Sequence, residues 1–133
     1  MNAGRLLRET GYDTDTLRGH IAPVDPADIN IYPAARLLRA FWRPRIKGVT
    51  HWKWILVEPE FMRGDRDRLA RLVIHELVHV RQYVTAGYVP FMTGYIVDYW
   101  KGRFSGKDAR RAYLDISAEV EAREVTASIV SSS

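Results

Sequence analysis

The chain has 133 residues and a mass of 15.3 kDa, a size that describes one globular domain and excludes a multidomain enzyme. Cysteine is absent, so disulfides, thiolate nucleophiles and cysteine-ligated metal sites are excluded, and any metal must be held by nitrogen and oxygen atoms. The formal net charge is +4, but acidic and basic residues are interleaved along the chain. A nucleic-acid-binding stripe is therefore not expected.

Residues 1–30 predict a loosely structured lead-in with one short helix near 6–9, because glycine and proline interrupt short polar stretches. They include no apolar signal segment, so the expected location is the cytoplasm. Export by a dedicated secretion system would not require such a segment. Beyond Pro33, apolar residues at helical spacing predict a helix over 34–42.

Residues 48–57 predict one β-strand, since they are rich in β-branched and aromatic side chains and Pro59 follows them. In a single strand, His51, Lys53 and Ile55 would share one face. The strand predicts a small sheet that packs against the helices of an α+β domain.

A long helix is predicted over 66–85, with Asp65 or Asp67 as its N-cap and Gly87 just beyond its end. Its middle is apolar on nearly every side, which indicates a helix buried at the centre of the domain.

Two further helices complete the expected single domain of residues 1–133. One covers 90–101, and the other runs from about 108 or 115 to 129. Residues 130–133 are expected to fray. The apolar segment Tyr88–Trp100 is too short for a transmembrane span and contains Asp98, so we expect it to be a core helix.

The central helix carries His75-Glu76-Leu-Val-His79, a His-Glu-x-x-His pattern. A chain of this composition would contain the pattern by chance on the order of 0.01 times. Residues four apart stack on one helix face, so both imidazoles can reach one metal ion, and Glu76 lies beside them to take a proton from water. Burial of these groups is costly unless a cation compensates, which favours a metal site over two structural histidines.

Catalytic zinc needs three protein ligands and an open fourth position. A metzincin would have glycine at 82 and histidine at 85, where this chain has Gln82 and Thr85, so that class is excluded. The other histidines lie upstream, and a downstream carboxylate is expected instead. The candidates are Asp98, Asp108, Asp115, Glu119, Glu121 and Glu124.

Glu119 is the favoured third ligand. It shares a helix face with Ala122, which together with Ala127 would allow a close approach to the histidine-bearing helix, whereas Glu121 points about 200° away. Glu121 and Glu124 are expected to lie on a solvated face.

The pattern from Gly48 through the His-Glu-x-x-His helix to Glu119-Val-Glu-Ala-Arg123 resembles small gluzincin-type zinc metallopeptidases. It is similar to the minigluzincins and to the metallopeptidase-like core domain associated with contractile injection systems, and more distantly to HtpX-type membrane metallopeptidases. The HtpX-type pattern has aspartate where this chain has Arg123. The resemblance covers roughly residues 46–127.

The resemblance implies a zincin-like fold and a Zn²⁺ site of His75, His79 and Glu119, with Glu76 as general base. It implies hydrolysis of a peptide or protein substrate, which would pair by β-addition with the strand over 50–57. The candidates for stabilising the transition state are Tyr113, Tyr95 and His51. Iron, cobalt or manganese could occupy the same ligand set.

A second function class fits the same residues. The domain could be a metal-bearing binding or docking module, or an effector, without peptidase turnover. A domain of this size has few residues with which to form the walls of a substrate cleft. The segment Tyr88–Trp100 could contact a protein partner. Turnover, or binding without turnover, would separate the two hypotheses.

Overall fold

A computed structural model describes residues 1–33 and 48–131, and the helix predicted over 34–42 lies outside them. The described residues form an α+β domain, which confirms the expected fold class. Its strands are β1 (Asn30–Pro33), β2 (Gly48–His51) and β3 (Trp54–Val57). Its helices are α1 (Ala3–Glu9), α2 (Thr14–Ile21), α3 (Pro59–Arg63), α4 (Arg66–Ala86), α5 (Tyr88–Phe104), α6 (Ala109–Leu114) and α7 (Ser117–Ser131), and Pro26–Asp28 forms a 3₁₀ turn.

The strands form a sheet in the order β1-β3-β2, in which β1 is parallel and β2 antiparallel to β3. The prediction of one strand over 48–57 is wrong, because the chain reverses at Trp52 and Lys53. Trp52 has a φ of 57°, a conformation that glycine or asparagine usually supplies in such turns. No residue of that type marks the turn, and His51, Lys53 and Ile55 do not follow one another along a single strand.

The first thirty residues are folded rather than loosely structured. The side chains of Asn2 and Asp13 accept hydrogen bonds from backbone N–H groups of Arg5 and Asp15 and so cap α1 and α2. The short helix expected near 6–9 is confirmed as part of α1. Helix α2 was not expected, because helical periodicity is difficult to detect over eight residues. Their apolar side chains enter the core, among them Leu6, Leu7, Leu17, Ile21 and Ile31.

Helix α4 confirms the central helix of the prediction. Asp65 accepts a hydrogen bond from the N–H of Asp67 at its start, and Gly87 follows its end with a φ of 89°. Strands β2 and β3 and helix α7 all pack against α4. Its buried residues include Val73, Ile74, Leu77, Val78 and Val80.

The C-terminal part contains two helices where one was expected to begin at 108 or 115. Asp98 accepts a hydrogen bond from the N–H of Ser117 at the first residue of α7, and α6 ends before it. Helix α7 continues to Ser131, so 130 and 131 are helical rather than frayed, and 132–133 lie outside the described residues. None of the helices in residues 1–33 and 48–131 combines the length and the hydropathy of a membrane span.

Candidate metal centre

Three side chains from two helices converge beside the sheet. Helix α4 presents His75 and His79, whose ring centroids lie 4.9 Å apart, and α7 presents Glu119. Nε2 of His75 lies 3.0 Å from Oε1 of Glu119, and Nε2 of His79 lies 3.0 Å from Oε2. One donor atom from each residue falls within 4.8 Å of the others. Two imidazoles and a carboxylate are a donor set that suits a divalent metal ion such as zinc.

The cluster is buried, so charges on its side chains are poorly solvated. Glu119 and His79 are buried, at 3% and 5% exposure. Burial alone would raise the pKa of Glu119, but hydrogen bonds to His75 and His79 outweigh it and hold that pKa well below its usual range. Burial would lower the pKa of His79, but the hydrogen bond to Glu119 and the charges of Glu76 and Glu119 raise it to about 9. A cation in the centre would take over the charge compensation that a proton on His79 provides.

The second ring nitrogen of His79 is held by Gln82, a residue that the sequence analysis did not select for the site. Nδ1 of His79 lies 2.7 Å from Oε1 of Gln82. Nε2 of Gln82 donates to the carbonyl of Ala118 at 3.1 Å and to Oε1 of Glu121 at 2.9 Å. These two acceptors fix the orientation of the amide, so its oxygen faces His79 and Nδ1 carries a proton.

Glu121 is exposed, as expected, but it also accepts hydrogen bonds from side chains of α4. Arg81 donates to its Oε1 at 2.6 Å and also donates to the carbonyl of His20 at 2.9 Å. This links the end of α2 to α4 and α7. Glu124 is exposed, as expected. Ala122 is buried, but Ala127 is exposed, which contradicts the contact expected of it. Close approach of α7 therefore depends on Ala122, and Ala127 does not contribute.

Glu76 lies on the side of α4 that faces the sheet and is 4% exposed. Oγ1 of Thr50, in β2, lies 2.6 Å from its Oε2 and 3.1 Å from its backbone carbonyl. The carbonyl of Thr50 accepts a hydrogen bond from the Tyr83 hydroxyl at 3.3 Å, and burial raises the pKa of Tyr83 to about 12. Thr50, like Gln82, was not selected from the sequence, because its role depends on β2 packing against α4.

The three expected transition-state stabilisers have different surroundings. The Tyr95 hydroxyl, from α5, donates to Oε2 of Glu119 at 2.7 Å. Tyr113 lies near the same carboxylate, and burial together with the charge of Glu119 raises the pKa of both tyrosines. The backbone of His51 belongs to β2, but its side chain lies outside the described part of the chain. Arg123, on α7, donates to the carbonyl of Leu114.

Comparison of the chain with protein-family models, with curated proteins and with solved structures gives no match. Any functional assignment therefore depends on the residues of the site and their geometry. They show a cluster of His75, His79 and Glu119 that could hold a metal ion.

Proposed function

We propose that this protein is a zinc-dependent endopeptidase of gluzincin type with a zincin-like fold. The observation that carries the proposal is the convergence of His75, His79 and Glu119 on one point, with the carboxylate of Glu76 on the same helix as both histidines. This arrangement provides three metal-binding donors and a nearby group able to accept a proton, which amide hydrolysis at a metal requires.

In this proposal His75, His79 and Glu119 hold the ion. Bound zinc supplies a Lewis acid that polarises a carbonyl group and makes water more acidic. Glu76 takes a proton from the attacking water and gives it to the leaving amine. The Thr50 hydroxyl holds Oε2 of Glu76 and leaves Oε1 to receive that proton.

The substrate class that we propose is an extended peptide or protein segment. Strand β2 is at one edge of the sheet formed by the described residues and packs against α4, so a substrate strand added there would run beside Glu76. Tyr113, Tyr95 and His51 stay candidates for stabilising the developing oxyanion. The hydroxyl of Tyr95 already donates to Glu119, so its primary role in this proposal is to orient that ligand.

Metal content separates a metal site from a structural cluster. We expect wild-type protein, purified without chelator, to contain about one zinc per chain. Mass spectrometry should show that His79→Ala loses the ion and that Glu119→Ala holds it weakly. A wild type that stays metal-free after zinc is added back would contradict the metal site and the peptidase proposal with it.

Activity then separates a peptidase from a binding module. A peptide library analysed by mass spectrometry should reveal cleavage by the zinc-loaded wild type. Glu76→Gln should retain zinc and lose about 10²–10⁴-fold in turnover, because it cannot accept the proton. A zinc-loaded protein that cleaves nothing, and that does not differ from Glu76→Gln, would instead support the metal-bearing docking module or effector.

A further inference from the structure

Helix α5 has one face that the rest of the described molecule leaves uncovered, although a core helix was expected there. Its apolar side chains form a ridge that consists of Val89, Ile96, Val97, Trp100 and Phe104. At 100° per residue these five lie within an arc of about 100°, and the ridge is about 22 Å long. Val89 is 69% exposed and Phe104 is 86% exposed, so the ridge projects outward.

Cationic side chains flank the ridge at the C-terminal end of α5. Lys101 and Arg103 are exposed in the last turn of α5, and neither side chain forms an ion pair within the described ranges. Asp98 is the one acidic residue of α5, and it accepts the hydrogen bond that begins α7. An approaching surface would therefore meet apolar side chains and positive charge.

We propose that the ridge docks on the surface of an anionic lipid bilayer. Aromatic side chains such as Trp100 and Phe104 insert at the level of the headgroups, and neighbouring Lys and Arg pair with anionic lipids. Charge complementarity and shape both favour this occupant, since a convex row of projecting side chains needs no matching groove in a bilayer. The opposite face of α5 carries Tyr95, which donates to Glu119. In the docked protein, α5 would therefore lie between the bilayer and the candidate metal centre.

Vesicle co-flotation tests this surface on the complete chain. We expect wild-type protein to float with vesicles of equal parts phosphatidylcholine and phosphatidylglycerol, but not with phosphatidylcholine alone. The double variant Trp100→Ser/Phe104→Ser should reduce the bound fraction at least about tenfold, because it removes the largest apolar surfaces. Lys101→Glu/Arg103→Glu should reduce it similarly, and added salt should weaken wild-type binding.

Matched variants distinguish the ridge from the rest of the surface. Tyr32→Ser removes an aromatic side chain that is 45% exposed on β1, and Arg8→Glu/Arg71→Glu reverses two exposed charges outside α5. The controls should bind like wild type or, for the charge reversal, weaken much less than Lys101→Glu/Arg103→Glu. Absence of wild-type flotation, or equal losses in ridge and control variants, would overturn the proposal. Light scattering that shows a dimer dissociated by Phe104→Ser would overturn it in favour of a second copy of the chain.

Discussion

Gln82 determines which nitrogen of His79 is available to a metal ion. Its amide donates to Ala118 and Glu121 and presents its oxygen to Nδ1 of His79, so Nε2 faces Glu119. A partner on the second nitrogen of a metal-binding histidine orients the ring and raises its basicity. Gln82 also contacts the residue before Glu119, so one side chain positions ligands on both helices.

We expect Gln82→Met to weaken zinc binding about 10–100-fold, because methionine fills a similar volume but offers no strong acceptor to Nδ1. Competition with a chromogenic chelator measures the affinity. The control is Thr85→Val, one turn further along α4, which removes a polar group away from His79. This variant should bind zinc like wild type. An unchanged affinity in Gln82→Met would show that the amide does not orient the ligand.

Proton release should accompany metal binding. The metal-free protein holds His79 at a pKa of about 9, so at pH 7 the imidazole carries both protons. An ion at Nε2 displaces one of them, and we expect about one proton released per ion from His79 at pH 7, falling towards zero above pH 9. Apparent affinity should therefore rise with pH up to about 9. Calorimetry in buffers of different protonation enthalpy measures the release, and heats that do not depend on the buffer at pH 7 would contradict it.

At the scale of elements, the junction between α4 and α5 depends on one backbone conformation. Gly87 follows α4 and precedes α5 with φ 89° and ψ 156°, a region essentially restricted to glycine. The junction turns α5 back over the candidate metal centre, so that Tyr95 reaches Glu119 and Phe91 packs near His79.

Two glycine substitutions should change stability in opposite directions. Gly87→Ala should lower the free energy of unfolding by about 1–3 kcal/mol because of backbone strain. Gly94 lies within α5, and a carbon added there would have no atom within 4 Å apart from those of its own helix backbone and chain neighbours. Gly94→Ala should raise that free energy by up to about 1 kcal/mol because alanine favours the helix. Urea unfolding measures both changes. Equal effects of the two substitutions would refute a special role of the junction.

The sequence predicts best the long elements whose ends and apolar pattern are encoded by neighbouring residues. Helix α4 has an N-cap, 21 residues and a glycine just after its end, and its His-Glu-x-x-His pattern lies within five residues. The hairpin at Trp52 lacks a turn signal, α1 was expected only over its second half, and α2 is too short for its periodicity to be detected. Thr50 and Gln82 were missed for a different reason, since their roles depend on which elements pack together. Gln82 does follow His79 by three residues on the same helix face, a spacing that could have indicated a contact.

At the scale of the whole molecule, the N-terminal residues and the helix that carries both histidines of the candidate metal centre belong to one core. Leu6, Leu7 and Leu17 lie in the same buried cluster as the inner face of α4. Arg81 connects the end of α2 to Glu121 on α7. If the cluster binds an ion, as we propose, its removal should therefore affect the unfolding of the entire domain.

Metal removal should lower global stability. At free zinc 100 times the dissociation constant, binding raises the free energy of unfolding by about 2.7 kcal/mol, and a chelator should abolish that gain. Thermal unfolding with and without chelator measures the difference. His79→Ala should respond little to chelator, and a zinc-loaded wild type that melts identically in both conditions would argue against an ion bound to the folded state.

The separation of the histidines from Glu119 along the chain has a topological consequence. His75 and Glu119 are 44 positions apart, and α5 and α6 lie between them. An ion bound to both would close this stretch into a ring and reduce the entropy of every partly open form, as a disulfide of similar span does. Amide hydrogen exchange within α5 and α6 would then slow when zinc binds, even at positions far from the ligands.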